Sequence, residues 1–240
     1  MIRALLAALS VFVAPAAAQE CRQALALGLD VSGSVDDTEY RLQLDGLAHA
    51  IDHPEIRAAL FAMPSAPVRL AVYEWAGQGS ERILLPWTPV ESPDALDRII
   101  ATLRMTQRRP TRLSTALMDA QRFGAALLAE QAECWKRTLD ISGDGKSNEG
   151  PAPYLVDRAA FLQGITVNGL VIGSDNPAPG DQRAVQIAEL LAYFEAYVLF
   201  GPDAFAETAL GYPEFQEAMV RKLKRELEGV ALSRLARPDQ

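Results

Sequence analysis

The sequence predicts an α/β fold with a mostly parallel, doubly wound central sheet that carries helices on both faces. The apolar run at residues 24–29 is long and unbroken, as is typical of a strand buried on both faces, and the segment at residues 165–172 is also typical of a strand. Segments with a helical spacing of apolar residues alternate with the strand-like segments through most of the chain. Residues 68–87 instead predict a hairpin, and therefore an antiparallel strand at one edge of the sheet.

The first half of the chain contains three strands and three helices by this interpretation. After the strand at residues 24–29, Asp36 or Asp37 can cap a helix whose apolar residues recur at helical spacing: Tyr40, Leu44, Leu47 and Ile51. A shorter helix follows Pro54. Residues 68–75 alternate and are rich in branched and aromatic side chains, and residues 82–87 follow a Gly-containing turn. A helix is then expected at residues 94–103.

The second half repeats the alternation. A loop at residues 104–111 leads to a helix around residues 117–127, and strands are expected at residues 137–142, 165–172 and 196–200. Further helices are expected at residues 154–162 and 181–192, and an amphipathic helix after Pro213 closes the chain. Parallel strands bring the loops at their carboxyl ends to one edge of the sheet, where we expect any functional site.

The chain begins with the pattern of an export signal. Arg3 precedes an apolar run at residues 4–13, and Pro15 and three alanines follow it. We expect cleavage after residue 18 and a single domain at residues 19–240. The run is too short to cross a bilayer comfortably, so we expect a released periplasmic protein without a transmembrane anchor. An uncleaved anchor is the alternative.

Charge and composition narrow the possible functions. The formal net charge is −8, and it becomes −9 once Arg3 is removed. An acidic domain is a poor match to a phosphate backbone, which argues against nucleic acid as a partner. A hydrophobic content of 49% is ample for one core.

Two cysteines, Cys21 and Cys134, precede two predicted strands by similar distances. Cys21 lies nine residues before Asp30 and Cys134 ten before Asp144. If those strands are parallel neighbours, both sulfurs reach the same edge of the sheet, and export would favour a disulfide there. Two free buried thiols are the alternative.

A candidate metal site begins where the first strand ends. Asp30, Ser32 and Ser34 alternate, so their side chains project to one side if the backbone stays extended, and Gly33 permits a close turn. Carboxylate and hydroxyl oxygens are hard donors. The expected ion is Mg²⁺, with Mn²⁺ or Ca²⁺ as alternatives, rather than zinc.

Two more segments complete a resemblance to a known family. Thr111 in RRPTRLSTAL lies six residues before Leu117, and Asp144 lies in DISGDGKSN. Together with Asp-x-Ser-x-Ser, these segments resemble the metal-ion-dependent adhesion site (MIDAS) of von Willebrand factor A-type domains. Over nearly its whole mature length the chain also resembles the DUF1194 family of secreted bacterial proteins, through EW at residues 74–75, NGLVI at 168–172 and FGPDAF at 200–205. One departure is the sequence SGDG where adhesive A domains usually have a TDG-like loop.

The resemblance implies a protein-binding role. It implies a metal site of five residues that leaves one coordination position for a carboxylate from a partner protein: Asp30, Ser32, Ser34, Thr111 and Asp144. Arg108, Arg109 and Arg112, with Arg104 nearby, would form a basic rim that attracts an acidic ligand, unless they are ordinary surface arginines. The alternative for the site is that Asp30 and Asp144 only cap helices or turns.

Other functional classes have weaker support in the sequence. Gly145-Lys146-Ser147 resembles part of a phosphate loop, but Asp140 stands where that motif needs glycine. His49 and His53 could share a helical face, yet no nearby cysteine or third histidine completes a zinc site. No dedicated general base or nucleophile is evident, so we do not expect an enzyme. A metal-assisted hydrolase and a structural subunit with a silent site remain the alternatives.

Overall fold

The computed structural model describes residues 20–173 and 182–235 of the chain. The predicted export signal and its cleavage point lie outside these residues. The described strands are β1 (Gln23–Asp30), β2 (Val68–Trp75), β3 (Arg82–Pro89), β4 (Lys136–Gly143), β5 (Thr166–Ile172) and β6 (Ala206–Ala209). The described α-helices are α1 (Asp37–Asp52), α2 (Pro54–Phe61), α3 (Pro93–Met105), α4 (Leu117–Ala129), α5 (Ala159–Leu162), α6 (Gln182–Tyr197) and α7 (Phe215–Leu235).

The described strands form one sheet in the order β3-β2-β1-β4-β5-β6. All neighbouring pairs are parallel except β2 and β3, which are antiparallel, so the predicted hairpin lies at the edge of the sheet. The strand order reverses between β1 and β4, and these two central strands end side by side. In doubly wound sheets, the crevice at such a reversal is the usual place for a ligand.

Helices cover both faces of the sheet. Leu25 and Leu27 of β1 pack in one core with α1, α3 and α7, while Ala24 and Ala26 of the same strand face a second core with α4 and α6. This division follows from the alternation of side chains along a strand, because successive residues point to opposite faces. Burial on both faces explains why residues 24–29 of β1 are apolar without interruption. The predicted doubly wound architecture is confirmed.

Two predicted elements are wrong. Residues 154–162 do not form one helix. A 3₁₀ turn at Pro153–Leu155 and the short α5 replace it, and Tyr154 and Leu155 are 72% and 75% exposed. Helices are held mainly by a buried apolar face, and the first half of this segment has none.

The strand predicted at residues 196–200 is the end of α6 and the turn that follows it. Leu190, Phe194 and Val198 recur every four residues and are all buried, so the apolar run continues a helical face. Phe200 contributes only an isolated bridge to Val167. The last strand is β6, ten residues further along, whose sequence AETA has little strand character.

The amino ends of β1 and β4 are joined covalently. Cys21 and Cys134 form a disulfide, which links the starts of these two parallel neighbours. The pairing predicted from their spacing is therefore present in the structure. The disulfide lies at the opposite edge of the sheet from the carboxyl ends of β1 and β4.

A buried ion network anchors α7 to the sheet. The Lys222 ammonium lies 2.7 Å from a carboxylate oxygen of Asp140 on β4 and 2.6 Å from one of Glu226. Asn168 on β5 donates a hydrogen bond of 2.7 Å to Glu226. Burial disfavours the charge on Lys222, but the two carboxylates outweigh it and raise the pKa of this lysine.

Among residues 20–173 and 182–235, no helix combines the length and the apolar character that crossing a membrane requires.

Candidate metal centre

The first loop of the site is held by the end of β1 and the start of α1. Asp30 is the last residue of β1 and is fully buried, and its Oδ1 accepts a hydrogen bond of 2.8 Å from the amide of Ser32. Ser32 Oγ and Ser34 Oγ lie 3.3 Å apart. Asp36 then caps α1 and forms a capping box with Glu39, which fixes where the loop ends. These contacts bring the hydroxyls of Ser32 and Ser34 next to each other, directly after the end of β1.

The third loop meets the first where β1 and β4 end side by side. Asp144 follows the last residue of β4, and its Oδ1 accepts a hydrogen bond of 2.7 Å from Ser34 Oγ. The preceding residue, Gly143, leaves little room, since a methyl group there would lie 3.1 Å from Asp30 Oδ2. The parallel pairing of two strands thus brings together carboxylates that are 114 residues apart in the sequence.

The second loop, between α3 and α4, is bonded to both of the others. Leu113, two residues after Thr111, accepts a hydrogen bond of 2.9 Å from the amide of Gly33 in the first loop. The amide of Thr115 donates a hydrogen bond of 2.8 Å to Asn148 Oδ1 in the third loop, and the amide of Asn148 donates one of 2.9 Å to the carbonyl of Thr115. All five predicted ligands consequently lie in three loops that are bonded to one another.

Two oxygen atoms of the predicted ligand set are buried without a hydrogen bond within the described residues. They are Asp30 Oδ2 and Thr111 Oγ1. A buried polar atom without a partner costs about 1–3 kcal/mol, so such atoms are few and call for an explanation. Both are hard oxygen donors of the kind that Mg²⁺ and Ca²⁺ prefer. The residues present therefore fit a hard dication, with hydroxyls as major donors.

The electrostatics agree with this fit. Burial, reinforced by the nearby charge of Asp144, raises the pKa of the Asp30 carboxyl well above its usual range. A cation at this place would reverse that effect. Within the described part of the chain, carboxylate, imidazole and thiol groups do not gather in threes as metal clusters. A metal here would accordingly depend on the Ser and Thr oxygens that the resemblance named.

The arginines predicted as a rim lie in different surroundings. Arg108 donates to Asp37 at 3.0 Å and to the carbonyl of Val35 at 2.6 Å. Arg112 forms an exposed ion pair with Glu149 at 3.6 Å. Arg109 is exposed and has neither a hydrogen bond nor an ion pair among the residues described.

Several residues around the site gave no recognisable signal in the sequence. Glu149 accepts hydrogen bonds from Ser114 Oγ at 2.5 Å and from the amide of Gln78 at 2.9 Å. These bonds lower the pKa of Glu149. Burial, followed by the charges of Asp144 and Asp30, raises the pKa of Tyr212 well above its usual range. The position of Tyr212 after the short β6 could not be anticipated because β6 itself was missed.

Solved structures with similar folds include a von Willebrand factor type A protein and a protein with a MIDAS motif. A type A protein from Catenulispora acidiphila has 14% identity and a TM-score of 0.57, over 86% of this chain and 43% of the other. Proximal thread matrix protein 1 from the mussel byssus, in a structure with a zinc-occupied MIDAS motif, has 16% identity and a TM-score of 0.57, over 88% and 49%. The chain thus spans less than half of either protein.

A third similar structure is closer to this chain in size. An aerotolerance-related membrane protein from Bacteroides fragilis has 15% identity and a TM-score of 0.54, over 86% of this chain and 98% of the other. Identities this low show a shared fold and nothing finer.

The comparison by sequence gives a more specific result. A search of curated proteins finds no match. A family profile described as "Protein of unknown function (DUF1194)" matches residues 20–231, which is nearly all of the chain after the predicted export signal. The chain therefore belongs to the DUF1194 family and has the fold of a von Willebrand factor A-type domain.

Proposed function

We propose that this protein is an exported, divalent-cation-dependent binding module that recognises an acidic group on a partner protein. The observation that carries the proposal is the pair of buried, unpaired oxygens, Asp30 Oδ2 and Thr111 Oγ1, in loops that are bonded together. Mg²⁺ is the proposed ion, and Mn²⁺ and Ca²⁺ would suit the same donors. A neighbour of this fold with a metal at its MIDAS motif supports the proposal.

Each predicted ligand would have a defined role. Ser32, Ser34 and Thr111 would supply neutral oxygens, and Asp30 and Asp144 would supply charge. Neutral hydroxyls neutralise none of the charge of a dication, so a cation held largely by them still attracts an outside carboxylate. The hydrogen bond between Ser34 and Asp144 already positions two of these groups.

We propose binding rather than catalysis because a metal-assisted hydrolase needs a general base beside the bound water. The two histidines of the chain, His49 and His53, lie at the far end of α1. His49 is 13 residues beyond Asp36, or about 20 Å along the helix axis at about 1.5 Å per residue. Neither histidine can act at the loops that follow β1 and β4.

We also propose that the protein works outside the cytoplasm, in the periplasm. A disulfide between Cys21 and Cys134 persists in an oxidising compartment. The signal-like pattern at residues 3–18 agrees with this location. Mass spectrometry of protein from the native host should show a chain that begins near residue 19, and a retained leader would contradict the proposal.

Metal titration tests the site directly. We expect Mg²⁺ or Mn²⁺ to raise the melting temperature of the wild type, because an ion that binds only the folded state stabilises it. Thr111→Val removes one hydroxyl with little change in shape and should abolish or strongly reduce the shift, as should Asp30→Ala. Thr102→Val, on the surface of α3, is the matched control and should respond as the wild type does. Equal shifts in all four proteins would contradict a metal site at these loops.

Binding to a partner is tested separately. Capture from envelope extract in Mg²⁺ and in EDTA, with wild type and Asp30→Ala as baits, should retain a specific protein only on wild type with metal. The same protein retained under all four conditions would show that any interaction is independent of the metal.

A further inference from the structure

Two adjoining hollows are lined by the first part of the second loop of the metal centre, which is the loop that follows α3. The larger has a volume of about 520 Å³ and lies between the start of α1 and the loop that follows α3. The smaller has a volume of about 380 Å³ and lies between the same loop and the edge strand β3. Thr106, Gln107 and Arg109 line both, so this loop forms the wall that they share.

The two hollows are lined by more basic than acidic residues, although Arg41, Arg82 and Arg108 are each ion-paired, with Asp45, Glu74 and Asp37 respectively. The lining includes four arginines, Arg41, Arg82, Arg108 and Arg109, against one acidic residue, Asp37. The whole chain has a formal net charge of −8. A basic hollow on an acidic protein attracts anions locally while most of the remaining surface repels them.

Two of these arginines are held in place by the backbone of the fold. Arg41 donates to the carbonyls of Thr106 at 2.8 Å and Leu103 at 3.1 Å, at the carboxyl end of α3. Arg108 donates to the carbonyl of Val35 and lies over the ring of Tyr40. Their partners fix the walls of the larger hollow.

Arg82 is held by the carboxylate of a buried glutamate. It forms an ion pair with Glu74 at 2.7 Å, and Glu74 is only 4% exposed. Tyr40 also donates a hydrogen bond to Glu74 at 3.1 Å. The guanidinium of Arg82 is thus already paired with Glu74 and is not available to an outside anion.

Arg109 differs from the other three. It is exposed and lines both hollows. Among the described residues its guanidinium has no hydrogen-bonded partner, although its positive charge acts to lower the pKa of Glu74. A guanidinium can bind a carboxylate with two parallel hydrogen bonds. Arg109 is therefore the group in this basic surface that can receive a ligand.

The hollows are close to the metal centre. Arg109 lies two residues before Thr111, so their Cα atoms are separated by at most about 7 Å. In an extended peptide, side chains two residues apart are separated by a similar distance, about 6.5–7 Å. One short acidic segment can therefore reach both places.

We propose that the Arg109 hollows form a second recognition subsite, which binds another carboxylate of the same acidic partner segment whose first carboxylate meets the metal. This inference rests on the proposed function for the identity of the partner. The basic subsite itself does not need the metal. A partner of this kind would present at least two acidic residues within a few positions of each other.

The probe for the test is an acetylated, amidated tetraglutamate peptide, with the corresponding tetraglutamine peptide and inorganic phosphate as comparisons. Binding is measured by calorimetry and by ¹H–¹⁵N NMR at low ionic strength, in Mg²⁺ and in EDTA, for the full chain. In wild type we expect tetraglutamate to bind in Mg²⁺, to bind more weakly in EDTA, and to shift the amide signals of Gln107 and Ile83 in both. Arg109→Gln should weaken binding in Mg²⁺ about tenfold and abolish it in EDTA. Arg98→Gln, an equal charge change on the exposed side of α3, should change affinity less than about twofold.

The outcomes separate the subsite from the metal centre. If Arg109→Gln binds tetraglutamate as wild type does, the subsite is wrong, while a metal-dependent affinity would still support the proposed function. If binding depends on Arg109 but not on Mg²⁺ or Thr111, the subsite stands and the metal-dependent function fails. No binding of tetraglutamate by wild type, or binding of phosphate in its place, would overturn the assignment to an acidic peptide.

Discussion

Gly143 shows how little room separates the two central strands where they end. A Cβ at this position would lie 3.1 Å from Asp30 Oδ2 and 3.5 Å from the rings of Phe194 and Trp75. We expect Gly143→Ala to lower the free energy of unfolding by about 1–3 kcal/mol, as overpacking of a filled interior does. It should also reduce the Mg²⁺-induced rise in melting temperature, because Asp30 must shift. Urea denaturation in EDTA and thermal shifts in Mg²⁺ measure the two effects.

The neighbouring glycine provides the control for that substitution. A Cβ at Gly145 would meet no atom within 4 Å, so Gly145→Ala should leave both measurements unchanged. Equal effects of the two substitutions would indicate that backbone flexibility of the loop, and not crowding against Asp30, controls the site.

Individual residues of the site differed in how well the sequence predicted them. Asp30, Ser32 and Ser34 could be found because their spacing is local and follows an apolar strand. Thr111 and Asp144 could be predicted as ligands only from the family resemblance, because the sequence around them does not indicate which loops come together in the fold. Glu149 lies in the third loop, but its bonds to Ser114 and Gln78 depend on the packing of separate segments, and Tyr212 follows a strand that the sequence did not predict, so no local pattern could identify either residue.

At the scale of elements, α4 depends on another loop for its amino-terminal cap. Ala116, at the cap position, provides no side-chain hydrogen bond, and the amide of Leu117 instead donates to Ser147 Oγ at 3.2 Å. Ser147→Ala should lower the free energy of unfolding by about 1 kcal/mol, which is typical of a lost cap. Because this bond also joins the second and third loops, the response to Mg²⁺ should weaken. Lys146→Ala, an adjacent exposed change, should alter neither denaturation by urea nor the thermal shift.

The attachment of α7 provides a second test at this scale. Lys222→Met would leave Asp140 and Glu226 buried without their cation, and we expect a loss of about 3–5 kcal/mol in the free energy of unfolding. Lys224→Met, two residues along the same helix, removes an exposed pair with Glu55 and should leave the free energy of unfolding nearly unchanged, because water screens such a pair. Urea denaturation of both variants decides the matter. A similar loss from both would show that the buried network adds nothing beyond an exposed ion pair.

Elements were predicted well where burial gave them a clear period. The runs that became β1 and β5 are apolar because both of their faces are covered. The errors arose where this relation fails. The apolar end of α6 imitates a strand over five residues, and β6 is short, polar and paired only with β5 among the described strands. Its place in the sheet comes from its neighbour and not from its own side chains.

At the scale of the whole molecule, the disulfide closes a loop with a sequence separation of 113 residues. In the chain-entropy description, a loop of this size stabilises the fold by about 4–5 kcal/mol. The double variant Cys21→Ala, Cys134→Ala should show a decrease of this order by urea denaturation. Its Mg²⁺-induced thermal shift should match that of wild type, because the disulfide and the metal loops lie at opposite edges of the sheet. A variant that is folded but no longer responds to Mg²⁺ would contradict this independence.

The same arrangement determines how the domain would carry mechanical load. A force applied between a partner at the carboxyl edge and the amino end of β1 would stretch the molecule along β1, which is flanked by β2 and β4. Tension would then act in shear on two parallel ladders at once, and the covalent link would pass part of it directly into β4. The hydrogen bonds of β1, the strand that ends in Asp30, would therefore have to break together and not one after another. The domain would then remain folded, and the partner bound, under a brief force.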